Sequence, residues 1–229
     1  MLDLVTKRRL WALWSLLSSG NLLIRVKNEI RLRKSTPRLL LRRPVREYGG
    51  NWSSRRLNYL LALTPAPRDY LEIGTAYGET LEAVVAERRT GVDPAPTFDV
   101  SKLPAGVMVF TMGSDAYFRD LSPNKLFDVV FIDGLHEYRQ CWRDLVNSLR
   151  HLKSTGCVLM DDTCPTDEES ARPYDHIQKE TREGQAPALG VWYGDVWKTI
   201  TLVDQCPRVI DWVTIQDKGK PQTLLWPKV

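Results

Sequence analysis

The chain has 229 residues, of which 43% are hydrophobic and 26% are charged. These proportions are ordinary for one globular domain, and the length allows a substantial core, which excludes disorder of the whole chain. The four cysteines include no C-x-x-C pair and are too few for the disulfide framework of a small secreted domain. We therefore expect a reduced, cytoplasmic setting.

Basic residues are concentrated at the start of the chain. Residues 1–46 hold 12 Lys and Arg against two acidic residues, which gives this stretch a charge of +10 and leaves −6 for the rest of the chain. An acidic surface repels phosphate, so nucleic-acid binding by the whole domain is not expected. Only the basic stretch is suited to binding anions.

The basic stretch also has an amphipathic pattern, because its apolar residues recur at helical spacing. These residues are Leu10, Leu13, Trp14, Leu17, Leu23, Val26 and Ile30. The uncharged residues 10–24 follow a basic cluster as in a signal peptide, but fifteen residues are too few to span a membrane. We predict that residues 1–47 form a helical arm that packs on the protein's own core or on a second subunit, as in a homodimer or higher homo-oligomer. Peripheral contact with a membrane is the alternative.

From residue 48 onward, short apolar runs alternate with helical stretches. Ser53 or Ser54 is predicted to cap a helix that continues to about Leu63. The alternation after this helix predicts an α/β fold, doubly wound around a mostly parallel, Rossmann-like sheet. A Gly-containing turn near the end suits a C-terminal antiparallel hairpin, which brings the sheet to seven strands. The predicted strands are residues 70–73, 90–92, 107–110, 127–132, 156–160, 209–215 and 223–226.

Residues 164–193 interrupt this alternation. They are rich in acidic residues and prolines. We predict that they form an insertion over the active-site edge of a domain that spans residues 48–229.

A glycine-containing loop follows the first predicted strand. Gly74 and Gly78 stand where the strand turns into a helix, so that the backbone can approach a nucleotide-like ligand without a Cβ in between. Asp93 ends the next strand, where a carboxylate can accept hydrogen bonds from both hydroxyls of a ribose. These two features together predict a nucleoside-containing cofactor.

The composition of the loop discriminates between two cofactors. A nicotinamide dinucleotide requires G-x-G-x-x-G, but Ala76 and Glu79 occupy the second and third glycine positions here. A glutamate would also repel a pyrophosphate. S-adenosylmethionine has no phosphate and carries a sulfonium cation, which suits the charges of Glu72 and Glu79. We therefore expect S-adenosylmethionine.

Three carboxylates follow the fourth and fifth predicted strands. Asp133 comes after the fourth, and Asp161 and Asp162 come after the fifth. The ends of neighbouring strands lie about 5 Å apart, so these side chains should converge at the carboxyl edge of the sheet. Such crowding requires a cation, and three hard oxygen ligands suit Mg²⁺ or Mn²⁺.

His136 lies three residues beyond Asp133 and is the candidate general base. We expect the metal to lower the pKa of a substrate hydroxyl and His136 to remove its proton. The oxygen would then attack the sulfonium methyl group in line. His151 and His176 are expected to be structural, since His151 ends a helix and His176 lies in the predicted insertion.

The pattern E-x-G-x-x-x-G, followed by the acidic end of the second strand, resembles motifs I and II of class I S-adenosylmethionine-dependent methyltransferases. The resemblance runs from about residue 50 to the C-terminus. In that family the glycine loop contacts the methionine moiety, the second acidic residue binds the ribose, and a residue after the third strand contacts the adenine. The resemblance implies a set of cofactor-binding residues: Glu72, Gly74, Thr75, Ala76, Gly78, Asp93, Ser114, Asp115 and Asp133.

The pattern D-G-x-H-x-Y followed by D-D resembles a metal-dependent branch that includes the macrocin and mycinamicin sugar O-methyltransferases. In this branch the three aspartates hold magnesium and the histidine is the proposed base. The resemblance implies a small-molecule or oligosaccharide acceptor, on which Trp192 or Trp197 could stack. A mycobacterial enzyme that methylates mannose oligosaccharides is one member that would fit.

Two other functions remain open from the sequence. One is a metal-independent methyltransferase acting on a nitrogen or a carboxylate, in which Asp161 and Asp162 bind the substrate. The other is a membrane-peripheral or partner-binding module that keeps the fold while the basic arm does the binding.

Overall fold

The computed structural model describes residues 48–183, 192–216 and 218–228. The predicted helical arm, residues 1–47, lies outside the described residues, as does part of the predicted insertion. Among the residues described, no helix is both long enough and apolar enough to cross a membrane.

The strands form one mixed sheet in the order β3-β2-β1-β4-β5-β7-β6. Neighbouring strands from β3 to β5 pair in parallel, whereas β7 runs antiparallel to both β5 and β6. This confirms the predicted fold class, including the C-terminal hairpin. The strands are β1 (Asp69–Ile73), β2 (Arg88–Val92), β3 (Val107–Phe110), β4 (Phe127–Ile132), β5 (Leu152–Met160), β6 (Ile210–Ile215) and β7 (Gln222–Pro227).

Helices cover both faces of the sheet, which explains why its central strands are apolar throughout. Val130 and Ile132 of β4 belong to one buried cluster, and Val129 and Phe131 belong to the other. Successive side chains of a strand point to opposite faces, so β4 supplies both cores. The helices are α1 (Trp52–Ala62), α2 (Glu79–Ala83), α3 (Ser114–Asp120), α4 (Tyr138–Arg150), α5 (Tyr174–Arg182) and α6 (Trp197–Asp204), with a 3₁₀ helix at Val100–Lys102.

The prediction that Ser53 or Ser54 caps the first helix is wrong. Asn51 is the N-cap of α1, and its side chain accepts a hydrogen bond from the backbone N–H of Ser54 at 2.8 Å. Asn51 is two to three residues earlier in the chain, and its short amide reaches the first free N–H groups of the helix. Both serines therefore lie inside the first turn.

An ion-pair cluster with buried carboxylates and partly exposed cations joins four strands at the edge of the sheet opposite to the predicted site. Asp69 at the start of β1 contacts Arg88, Lys125 and Lys153, with N–O distances of 2.5, 2.6 and 3.1 Å. Lys153 also contacts Asp128 of β4 at 2.6 Å. Burial favours the neutral form of Asp69, but its hydrogen bonds to the three cations outweigh burial and hold its pKa well below the usual range.

Replacing Asp69 with Asn should destabilise the fold by about 1–3 kcal/mol, because it removes a buried carboxylate from three cations whose own partial exposure screens the loss. The carboxylate has a depressed pKa in the folded state. Its contribution is therefore present above the unfolded-state pKa of about 3.9 and is lost as the pH falls through the folded-state pKa. Urea unfolding of the wild type and of Asp69→Asn at pH 7 and pH 3 measures both effects.

The matched control is Asp120→Asn, which removes one partner of the exposed pair between Asp120 and Arg119. Exposed pairs contribute about 0–1 kcal/mol, so this variant should unfold nearly as the wild type does. Equal stability of the two variants would contradict the assigned role of Asp69.

Candidate active site

The predicted site residues collect at the carboxyl edge of the sheet, around its topological switch point. β1 has β2 on one side and β4 on the other, so that the chain leaves these strands in opposite directions. Gly74 follows β1, Asp93 follows β2, Asp133 follows β4 and Asp161 follows β5. Open α/β sheets bind their ligands in the crevice at this point.

The loop after β1 has a backbone that requires glycine at two positions. Gly74 and Gly78 have φ values of +85° and +78°. A Cβ on Gly74 would lie 2.1 Å from the carbonyl oxygen of Asp133. The glycine loop therefore packs directly on the chain that leaves β4.

Asp93 fastens this loop from the end of β2. Its Oδ2 accepts hydrogen bonds from the N–H groups of Thr75 and Ala76 at 2.8 and 2.9 Å, and its Oδ1 accepts one from Ala95 at 2.8 Å. A carboxylate has about four acceptor positions, so one is left. Binding of a ribose diol to Asp93 would involve sharing or exchanging some of these backbone bonds.

Glu72 is a buried residue of β1, just before the glycine loop. It is 2% exposed and accepts a hydrogen bond from the Tyr70 hydroxyl at 2.6 Å. Burial raises the pKa of Glu72 well above its usual range, and the charges of Asp133 and Asp93 raise it further, against the lowering effect of Tyr70. The Glu72 carboxyl is therefore buried in the sheet with Tyr70 as its hydrogen-bond donor.

The predicted adenine residues begin α3, at the same edge of the sheet. The end of β3 adjoins Asp93, whose N–H donates to the carbonyl of Phe110 at 3.1 Å. Ser114 accepts a hydrogen bond from Gln140 at 3.1 Å, and Asp115 lies 3.2 Å from Arg143. Both residues are therefore held by α4.

A second group of side chains lies beyond β4 and β5. Asp133, His136 and Asp162 each offer one ligand atom, and these atoms lie within 4.8 Å of one another. Nε2 of His136 lies 2.9 Å from Oδ2 of Asp162 and 3.8 Å from Oδ1 of Asp133. Asp161 precedes Asp162 in the chain and is not part of this group of three.

Asp161 adds a buried carboxyl beside Asp133 and Asp162. Asp161 is 7% exposed, and its Oδ1 has no hydrogen-bond partner among the described residues. Burial and the charges of Asp133 and Asp162 raise its pKa to about 7. A buried carboxylate oxygen without a partner is costly, so a cation beside Asp161 would stabilise the group.

His136 responds to the same charges in the opposite direction. Burial disfavours its charged form, but the contacts with Asp133 and Asp162 outweigh burial and raise its pKa to about 10. Its other ring nitrogen, Nδ1, is buried without a partner among the described residues. Only the Nε2 edge of the ring therefore has polar contacts.

The segment that begins at Trp192 supports the turn that carries His136. Gly194 has a φ of +65°, and a Cβ there would lie 2.0 Å from the carbonyl oxygen of His136. Asp195 accepts a hydrogen bond from the N–H of Tyr138 at 2.9 Å. The Trp192 ring lies 5.0 Å from the His136 ring. These contacts fix the position of the imidazole.

The two predicted sugar-stacking residues have different surroundings. Trp192 also stacks with Tyr174 at 6.0 Å and donates from Nε1 to the carbonyl of Arg172. Trp197, at the start of α6, is 36% exposed. Trp197 is therefore the more accessible of the two, and Trp192 packs beside His136.

Lys220 is a member of the site that the sequence does not reveal. Its Nζ lies 3.3 Å from Oδ1 of Asp162. Lys220 lies in the turn between β6 and β7, 58 residues from Asp162 in the chain. Only the pairing of β7 with β5 brings this turn to the site, and no spacing in the sequence signals that pairing.

Comparisons with known proteins agree with this architecture. Residues 71–163 match the sequence model of a methyltransferase domain family. No curated protein matches the chain at a significant level of sequence similarity.

Solved structures share the fold at low sequence identity. An O-methyltransferase from Bacillus cereus in complex with SAH is 14% identical, with a TM-score of 0.53 over 95% of this chain and 90% of that one. A SAH-bound methyltransferase from Podospora anserina is 16% identical, with a TM-score of 0.53 over 100% and 98%. A putative O-methyltransferase from Klebsiella pneumoniae is 16% identical, with a TM-score of 0.52 over 99% and 91%.

The sequence match covers the strands and loops that form the site, from β1 to the residues that follow β5. At such low identity the structural likeness shows the fold, and the sequence match identifies the domain. The chain therefore contains a segment, residues 71–163, that is similar to a methyltransferase domain, within a fold that it shares with solved methyltransferase structures.

Proposed function

We propose that this protein transfers the methyl group of S-adenosylmethionine to a hydroxyl group, with Mg²⁺ or Mn²⁺ bound at the aspartates, and that the acceptor is a sugar or an oligosaccharide. The observation that carries the proposal is the direct contact between the glycine loop and the group formed by Asp133, His136 and Asp162. Gly74 packs on the backbone of Asp133, so a cofactor on the glycine loop and a ligand at the aspartates would be neighbours.

The chemistry of the crevice supports S-adenosylmethionine as the methyl donor. Two relatives in fold hold SAH. In this chain Asp93 would bind the ribose, and the loop from Gly74 to Gly78 would contact the methionine moiety. The surrounding carboxylates favour a ligand that carries a sulfonium cation.

The residues present fit a hard divalent cation. Asp133 and Asp162 offer carboxylate oxygens from two neighbouring strand ends, and Asp161 adds a buried oxygen without a partner. Oxygen donors of this kind are those that Mg²⁺ and Mn²⁺ prefer. When bound, such an ion lowers the pKa of a coordinated hydroxyl and neutralises the carboxylates.

We assign the removal of the hydroxyl proton to Nε2 of His136. This nitrogen faces the carboxylates at which the acceptor hydroxyl would bind. A metal-ligating histidine almost always donates its other ring N–H to an acceptor, and Nδ1 of His136 has none among the described residues. The unpartnered Nδ1 thus argues against metal ligation. A cation at Asp133 and Asp162 would offset the charges that raise the pKa of His136 to about 10, as its role as a base requires.

A sugar acceptor is supported by the resemblance of the D-G-x-H-x-Y and D-D patterns to the sugar branch. The exposed face of Trp197 is a candidate surface for a pyranose ring. Trp192 and Gly194 would keep His136 in place beside such an acceptor.

Removal of divalent metal tests the metal-dependent part of the proposal. EDTA should abolish methyl transfer from S-adenosylmethionine across a panel of sugar acceptors, and Mg²⁺ or Mn²⁺ should restore it. Calorimetry with S-adenosylhomocysteine in EDTA is the control, and cofactor binding should persist because protein hydrogen bonds hold the glycine loop. Full activity in EDTA would instead support a metal-independent methyltransferase, in which Lys220 and His136 neutralise the aspartates.

Replacing His136 with Ala should lower turnover by about 10²- to 10⁴-fold, the usual contribution of a positioned general base. Binding of S-adenosylhomocysteine and of Mn²⁺ should be retained. His176→Ala is the matched control, because His176 is exposed on α5. Loss of Mn²⁺ binding in His136→Ala would show that the histidine is a metal ligand, and normal turnover would remove it from the chemistry.

Gly74→Ala tests whether the two parts of the site share one backbone junction. The methyl group would combine a φ of +85° with a clash against the Asp133 carbonyl. Both S-adenosylhomocysteine and Mn²⁺ should bind more weakly in calorimetry, even where circular dichroism shows a folded protein. Gly49→Ala is the control, since a Cβ on Gly49 meets nothing within 4 Å. Weakening of only one ligand would argue against a shared junction.

A further inference from the structure

The contact between Lys220 and Asp162 joins a partly exposed lysine to a buried carboxylate. The side chain of Lys220 is 43% exposed, whereas that of Asp162 is 2% exposed. The Lys220 ammonium also lies 5.0 Å from the centre of the Tyr193 ring, which is itself buried. The lysine therefore enters the site from the surface and places its charge at the edge of the buried group.

The turn that carries Lys220 is held by a buried arginine of α1. Arg56 is 1% exposed and donates to the carbonyl of Lys220 at 2.8 Å, to Oε1 of Gln222 at 2.7 Å and to the carbonyl of Lys218. Gly219 has a φ of +72° and packs so closely on Trp52 that a Cβ would lie 2.6 Å from its ring. The backbone at Lys220 is therefore fixed in the fold.

The two oxygens of Asp162 have different partners. Oδ1 faces Lys220 at 3.3 Å, and Oδ2 faces Nε2 of His136 at 2.9 Å. Asp162 also has a φ of +58°, a conformation that a residue other than glycine keeps only where its surroundings enforce it.

We propose that Lys220 is a positioning residue that orients Asp162 as a metal ligand: its ammonium binds Oδ1 and leaves Oδ2 directed toward His136 and Asp133. The inference rests on the metal site of the proposed function. Carboxylates that bind metals are generally held by such outer hydrogen bonds. Lys220 contacts Oδ1 of Asp162, whereas Oδ2 faces His136, so the lysine can hold one oxygen while the other stays directed at the group.

Mn²⁺ binding by the full chain tests this role without any measurement of activity. Titration followed by electron paramagnetic resonance should show an affinity about 10- to 100-fold weaker for Lys220→Met than for the wild type, the usual effect of losing an outer hydrogen bond to a ligand. Lys220→Arg should recover part of the affinity, because it keeps a cationic donor. Lys218→Met is the matched control in the same turn, where Lys218 is exposed.

Mn²⁺ binding by the wild type distinguishes failure of the proposed metal site from failure of the positioning role of Lys220. Absence of Mn²⁺ binding by the wild type would overturn the metal site and, with it, the role of Lys220. Binding by the wild type with equal or tighter binding by Lys220→Met would overturn only the positioning role, because the lysine would then be a bystander or a competitor of the metal. Calorimetry with S-adenosylhomocysteine checks that each variant is folded, and Lys220→Gln, which should show the same loss, replaces Lys220→Met if the latter unfolds.

Discussion

Repulsion between carboxylates at adjacent strand ends is the constraint on which the arrangement of this site depends. Asp133 and Asp162 lie in one compact group with His136, and Asp161 lies buried beside it without a hydrogen-bond partner for Oδ1. Parallel pairing of β4 with β5 brings these side chains together despite the repulsion between their negative charges. The fold must therefore supply positive charge from elsewhere, and the residues nearest to the group are those that do so.

The crevice for the cofactor is connected to this group through the backbone rather than through side chains. Gly74 packs on the carbonyl of Asp133, while Asp93 holds the other side of the same loop through the N–H groups of Thr75 and Ala76. Close packing of this kind transmits small displacements. A methyl donor on the loop and an acceptor at the aspartates would thus have a fixed separation, which is what an in-line transfer requires.

The sequence was informative wherever a feature depends on neighbours in the chain. Strand periodicity predicted all seven strands, with β3 and β4 at their observed bounds. The strand ends also predicted that Asp133 and Asp162 converge, whereas Asp161 lies beside their group. Prediction failed for features set by tertiary contacts. Asn51 caps the first helix instead of either nearby serine. Lys220 reaches the site only because the turn between β6 and β7 packs against Asp162.

The two kinds of residue in this site have correspondingly different origins. The acidic residues come directly after parallel strands. Any sheet of this topology places the ends of such strands at one edge, so their positions follow from the sequence. Lys220 depends instead on β7, which inserts between β5 and β6, and on Arg56, whose contacts with the turn span 162 to 166 residues of chain. The antiparallel hairpin thus does more than complete the sheet. It brings a cation to the place where the parallel strands accumulate negative charge, and this links the formation of the site to closure of the whole fold.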